Sequence, residues 1–121
     1  MQNAAQAYQN VGRQISSPRE LEATLLLQAA ARLQSVQDSW DENRTKLDEA
    51  LLYNRKLWAV LLSEVTDANN PMPKNVRQNV ANIGLFVLNH TVTAMTDPRP
   101  AHLGSLININ REIAAGLLGR A

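Results

Sequence analysis

Few side chains in this sequence have the type and spacing that chemistry needs. His90 and His102 are twelve residues apart, and neither has a second His or a carboxylate at the third or fourth position after it, the spacing that sets two ligands on one helical face. They read as surface or partly packed histidines. The carboxylate pairs Asp41/Glu42 and Asp48/Glu49 flank Arg44 and Lys46. Solvated charge pairing at a helix start accounts for them better than general acid–base work does. Ser16, Ser17, Ser35, Ser39, Ser63 and Ser105 stand in no nucleophile-elbow context. There is no cysteine, so thiol catalysis and Cys-ligated metal are excluded. No Gly-rich phosphate loop occurs either. The expectation is a protein that is not an enzyme, with no catalytic residues, no cofactor and no metal.

What remains is the chemistry of recognition and packing. In the stretch Leu106 to Leu118, Leu106, Asn110, Ile113 and Leu117 repeat at helical spacing, which puts an amide in the middle of an apolar stripe. Ile107, Ile109 and Ala114 widen the stripe and leave mainly Arg111, Glu112 and Ala115 for solvent. A helix this apolar buries most of itself, in its own core or against a partner. Its asparagine must be satisfied there, because an unpaired buried amide costs about 1–3 kcal/mol. A second stripe, Leu47, Leu51, Asn54, Trp58, Leu61 and Val65, is spaced four, three, four, three and four, with Asn54 as its polar member. Trp58 reads as core or as an anchor in a partner groove, where Trp and Arg are favoured. Asn110 reads equally as an internal hydrogen-bonding group or as a partner contact.

The elements that carry these stripes are all helical. Ser17-Pro18-Arg19-Glu20 is a helix start, with Ser17 as cap, Pro18 at the first helical position and Glu20 completing a capping box. The stripe that follows runs Leu21, Leu25, Ala29, Leu33, Val36 and Trp40, with Leu26 and Ala30 alongside, and helical character fades from Gln37 to Arg44. The Trp58 helix is predicted from about Asn43 to Val65. Its link to the first helix has neither Gly nor Pro, so one long bent helix from Pro18 to Val65 stays open. Asp67, Asn69, Asn70, Pro71 and Pro73 form a loop. A third helix starts near Pro73 and shows Val76, Val80, Ile83, Val87, Thr91 and Ala94. Gly84 inside it marks a close approach by another helix or a partner. Asp97-Pro98-Arg99-Pro100 ends that helix, and His102 or Ser105 leads into the last one.

These elements predict an all-α fold, a compact bundle of about four helices, mostly antiparallel, over residues 17–121. Residues 1–16 read as a separate segment that is weakly ordered, or helical only when docked. There Tyr8, Val11 and Ile15 recur at three and four residues around a helix-weakening Gly12. The length of 121 residues suits one domain with one core. Only five residues are aromatic, so Leu, Ile, Val and Ala do the packing. Asn and Gln number twenty, more than a core with charged surroundings requires. No apolar run reaches membrane-spanning length, and the start of the chain lacks the order of a secretory signal. Net charge is +1, with signs alternating along the chain, so nothing resembles the one-signed basic stripe of a phosphate-neutralising protein. Charge therefore gives nucleic acid no support as a partner.

The ordered set of motifs resembles the FlaF family of flagellin-biosynthesis proteins. The resemblance rests on Ala7-Tyr8, on Ser17-Pro18-Arg19-Glu20-Leu21-Glu22 and on Tyr53-Asn54-Arg55-Lys56-Leu57-Trp58. It continues through Asn70-Pro71-Met72-Pro73, Asn79, Ile83-Gly84 with Phe86-Val87, and Leu106-Ile107-Asn108-Ile109-Asn110-Arg111 to Gly116-Leu117. Met72 stands where leucine is more usual between the prolines, and Val92 to His102 matches little.

The resemblance implies a cytoplasmic, non-enzymatic accessory protein that supports flagellin production and export. It implies flagellin as partner, bound as an export chaperone binds its client, and a link to FlbT, a regulator of flagellin translation. Flagellin monomers carry amphipathic terminal helices that pack only in the filament, and a groove on a small bundle can cover such a face. The expected partner-binding set is Tyr8, Asn54, Arg55, Trp58, Leu61, Ile107, Asn110, Ile113 and Leu117. The groove would lie between the Trp58 helix and the last helix, with the N-terminal segment covering it in the free protein. Two rivals stand beside this: a regulator acting directly on flagellin mRNA, and a structural adaptor that mainly binds FlbT or self-associates through its heptad-like second helix.

Overall fold

The computed structural model describes residues 17–119, and Tyr8 lies outside them. Four long helices and one short break make up these residues. They are α1 (Pro18–Asp38), α2 (Trp40–Asn43), a 3-10 turn (Arg44–Lys46), α3 (Leu47–Thr66), α4 (Lys74–Thr96) and α5 (Pro100–Leu117). The all-α bundle is as the apolar periodicity predicts.

Each boundary has a local cause. At the start of α1, Ser17 takes an extended backbone and its Oγ accepts a hydrogen bond from Glu20 N at 3.2 Å, while Pro18 fills the first turn. Between α1 and α3 the chain does break, at Ser39, and it passes through α2 and the 3-10 turn without Gly or Pro. The single bent helix is therefore not formed, and α3 begins at Leu47, a turn later than the periodicity suggests. Leu47 is the first residue of that stretch to be buried, so tertiary packing sets the start. The loop before α4 is built from side chain to backbone bonds: Asp67 Oδ1 accepts from Asn69 N, and Asn70 Oδ1 from Met72 N, both at 2.9 Å. Asn70 Nδ2 also donates to Glu64 O at 2.9 Å, satisfying a carbonyl at the end of α3. α5 starts at Pro100, earlier than His102 or Ser105, because a proline at the first helical position lacks only an N–H that would be unpaired anyway. Gln37 Nε2 donates to Pro100 O at 2.8 Å and ties this start to α1.

Neighbouring helices run antiparallel. α1 lies along α5, with Leu26 opposite Asn110 and Gln37 opposite Pro100. α1 also lies along α3, where the Arg32 guanidinium sits 4.1 Å over the Tyr53 ring. α4 packs on α3 and approaches α5 much more sparsely. Because α1 serves two neighbours, its buried face is wide: Ala23, Leu26, Ala29, Ala30, Leu33 and Val36 are inside. Leu21, Leu25 and Trp40, placed on the expected stripe, are only half-buried. The small residues Ala23 and Ala30 take the interior positions because they let helices come close. α3 buries Leu47, Leu51, Asn54, Trp58, Leu61 and Val65, the whole of its expected stripe. α4 buries only Gly84, Val87, Thr91 and Ala94.

Candidate functional site

The polar members of the two sequence stripes meet in the core. Trp58 Nε1 donates to Asn110 Oδ1 at 2.9 Å, and Asn110 Nδ2 donates to Asn54 Oδ1 at 2.7 Å and to Leu26 O at 3.3 Å. All three side chains are fully buried, with 0% exposure. One amide thus links α1, α3 and α5, and its register is fixed because a shift of α5 by one residue would leave an indole N–H and an amide unpaired. Asn54 Nδ2 is the donor of this trio with no hydrogen-bond partner among the described residues.

Around this knot the expected site residues separate into two groups. Trp58, Asn54 and Asn110 are interior, as are Leu61 and Ile107 at 4% and 2% exposure. Their side chains hold the bundle together, and in this conformation they present almost no surface. Ile113 and Leu117 are half-buried, and Arg55 is exposed. On α5 the solvent face is Asn108, Arg111, Glu112 and Gly116, with Ala115 half-buried instead of exposed. The face of α5 leans toward α1 more than the stripe alone indicates.

The surface that stays open lies between α4 and α5. His90 Nε2 donates to His102 O at 2.9 Å, the two imidazoles meet edge to face at 5.6 Å, and Phe86 stacks on His90 at 5.3 Å. This fixes one point where α4 and α5 touch. Counting back along α4 at helical spacing, Ile83 and Val76 share the His90 side; counting forward along α5, Ile109 and Ile113 share the His102 side. Two helices in contact along their length would bury these positions. Here Val76 and Phe86 are 39% and 48% exposed, and Ile83, Ile109, Ile113 and Leu117 are half-buried. An apolar seam therefore opens away from the histidine contact, toward the end of the bundle where α5 finishes. Leu85 and Val92 add exposed apolar surface on the outer side of α4.

Gly84 explains how α4 seats on α3. A Cβ there would run into Leu62 Cδ1, and would lie 3.3 Å from Leu62 Cγ and 3.4 Å from Trp58 Cε3. The close approach expected at Gly84 is thus with α3.

Two electrostatic features were hidden from sequence spacing. Burial and a hydrogen bond with Glu64 push the Glu22 carboxyl up to about 7, with repulsion from Glu64 adding to the effect and the Arg19 charge opposing it. The pair joins α1 to α3 across 42 positions of sequence, so no local pattern announces it. At the α4–α5 turn, Arg99 and then His102 hydrogen-bond Asp97 and hold its carboxyl below the usual range. A shallow hollow of about 260 Å³ is lined by Arg32, Ser35, Val36, Lys46, Glu49 and Ala50, two basic side chains and one acidic. Among the described residues no group of three or more His, Cys, Asp or Glu side chains could hold a metal ion. No described helix is long and apolar enough to cross a membrane.

Sequence reasoning missed Phe86, Val76, Ile83 and the histidine contact as parts of a surface. The available signal was excess: α4 carries more apolar residues than its one thin buried strip can use.

The family described as flagellar protein FlaF matches residues 4–117, nearly the whole chain. No curated protein and no solved structure matches it.

Proposed function

Since the chain belongs to the FlaF family of flagellar proteins, we propose that it is a non-enzymatic accessory protein that binds monomeric flagellin in the cytoplasm and supports its export. The observation that carries this reading is the α4–α5 seam, where exposed Val76 and Phe86 stand beside Ile83, Ile109, Ile113 and Leu117, which pack on the core and stay half-buried. Contiguous exposed apolar surface is uncommon on a monomer and marks a docking place. A seam between two helices suits one amphipathic helix, which is the form of client that flagellin termini offer. The site moves from the α3–α5 core, where Trp58 and Asn110 are occupied with each other, to the seam, where Ile113 and Leu117 join Val76, Ile83 and Phe86. The link to FlbT and to control of flagellin translation is part of the proposal as a second contact, outside the seam.

Titration calorimetry of the purified protein against monomeric flagellin tests the reading. Saturable binding with a negative heat-capacity change supports it, since that is the mark of apolar burial. No heat and no co-elution at tens of micromolar, roughly the range in which weak complexes of this kind are still visible, would overturn it in favour of an FlbT adaptor or a regulator acting on the message.

A further inference from the structure

α4 has a second side that the seam does not use. Ala81, Leu85, Leu88, Val92 and Met95 are spaced four, three, four and three, and every one of them is apolar. At about 100° per residue this row lies on the face of α4 turned away from Val76, Ile83 and His90. The core takes only its edge: Leu88 and Met95 are half-buried against it, while Leu85 and Val92 are each 53% exposed. Asn82 and Asn89, one heptad apart, stand exposed along the outer side of the row.

The charge pattern says what fits there. Gln78 to Thr96 contain no Asp, Glu, Lys or Arg, the longest such run in the chain. The exposed apolar residues of α3 have charged neighbours within four positions: Asp48, Glu49, Arg55 and Lys56 about Leu52, and Lys56 and Glu64 about Val60. Leu27 is the one large exposed apolar residue of α1 and forms no row. A contact with a different protein is steered by opposite charges across it. A contact about a two-fold axis sets one patch against its own copy, so a charge near the axis meets its like. An uncharged apolar row edged by amides, which both donate and accept, is complementary to itself. Its spacing is also that of a seam between two helices. The similar stripe of α3 is spent on the core.

We propose that α4 pairs with α4 of a second copy of this chain about a two-fold axis, with Leu85, Leu88, Val92 and Met95 in the contact and Asn82 and Asn89 at its margin. One helix face is small beside a standard interface of about 800 Å² per partner, so the dimer is weak and dissociates on dilution. The seam stays open on the other side of α4, and the pairing does not rest on the flagellin-binding reading.

Sedimentation equilibrium of the full chain, without flagellin, over about 10 μM to 1 mM tests it, a range that covers the dissociation constants of weak complexes. The mass is expected to rise from that of one chain toward that of two. Leu85→Glu, at an exposed position, should raise the dissociation constant about tenfold or more, and Val60→Glu should leave it unchanged. Leu85→Lys alone should weaken pairing in the same way. An equimolar mixture of the Leu85→Glu and Leu85→Lys chains should recover it, which a folding defect would not allow. A mass of one chain throughout the range overturns the proposal. So does a dimer that both Leu85 substitutions leave intact, one that Val60→Glu weakens as much, or a mixture that fails to recover.

Discussion

The α1–α3–α5 side of the molecule and the α4 side are built from similar residues but finished differently. On the first side every large side chain of the α3 stripe is inside, and the two polar exceptions, Asn54 and Asn110, are bonded to each other. On the second side α4 spends one narrow strip on the core and leaves Val76, Leu85, Phe86 and Val92 in contact with water. A polar group in a closed core and an apolar group on an open face are both costly arrangements. The first is offset by hydrogen bonds that fix the register of α5. Leu27, Leu52 and Val60 are comparably exposed on α1 and α3, so what sets the second side apart is that its exposed Val76 and Phe86 continue into the half-buried residues between α4 and α5.

Substitutions sharpen this contrast, and the largest effect belongs to the closed side. Trp58→Ala should lower stability by about 3–5 kcal/mol, since it empties a core site and strands Asn110 Oδ1. Denaturant titration measures it. Asn110→Ala leaves the Trp58 indole N–H without its acceptor and removes a donor from Asn54 Oδ1; the expected cost is about 2–4 kcal/mol, from two buried polar groups at about 1–2 each. A loss under about 0.5 kcal/mol would mean that the knot relaxes to other partners.

The Glu22–Glu64 pair adds a pH dependence to the same side. With a folded value of about 7 against the ordinary 4.5, the native state holds the Glu22 proton more tightly than the unfolded chain does. The contribution of this group to stability is therefore fully present below pH 4.5 and lost as pH rises through 7. Glu22→Gln should melt above the unsubstituted protein at pH 8, with the gap closing by pH 4. A gap that does not change with pH would mean that Glu22 titrates alike in the folded and the unfolded chain.

Substitutions on α4 predict smaller stability changes. Gly84→Ala should stay within about 1 kcal/mol of the unsubstituted protein, because the roughly 1 kcal/mol gain in helix propensity offsets moving the flexible tip of Leu62. Phe86→Asp should change stability least, by about 0.5 kcal/mol, as an exposed position allows. Its effect belongs to binding.

How much of this was legible in the sequence follows the same division. The α3 stripe could be read residue by residue because one face of one helix meets the core and its period is undisturbed. The burial of Asn110 was readable for the same reason, but its partners were not, since Trp58 and Leu26 are 52 and 84 positions away. The phase of α1 was misplaced because a helix with two neighbours buries a face centred between them. Spacing shows that Trp58 and Asn110 each share a face with apolar residues, not that another helix covers both. α4 looked like an ordinary core helix for that reason. Only the folded structure shows that Val76, Leu85, Phe86 and Val92 stay exposed.

The most direct test of the account compares flagellin affinity of Phe86→Asp with that of Val60→Asp. Val60 is an equally exposed apolar residue at 56%, on the side of α3 turned away from Leu62 and α4. Calorimetry should find binding weakened by about tenfold or more for Phe86→Asp, the cost of about 1.4 kcal/mol or above expected at a buried interface position, and unchanged for Val60→Asp. Equal affinity for both variants, each shown to be folded, would contradict the assignment of the α4–α5 seam.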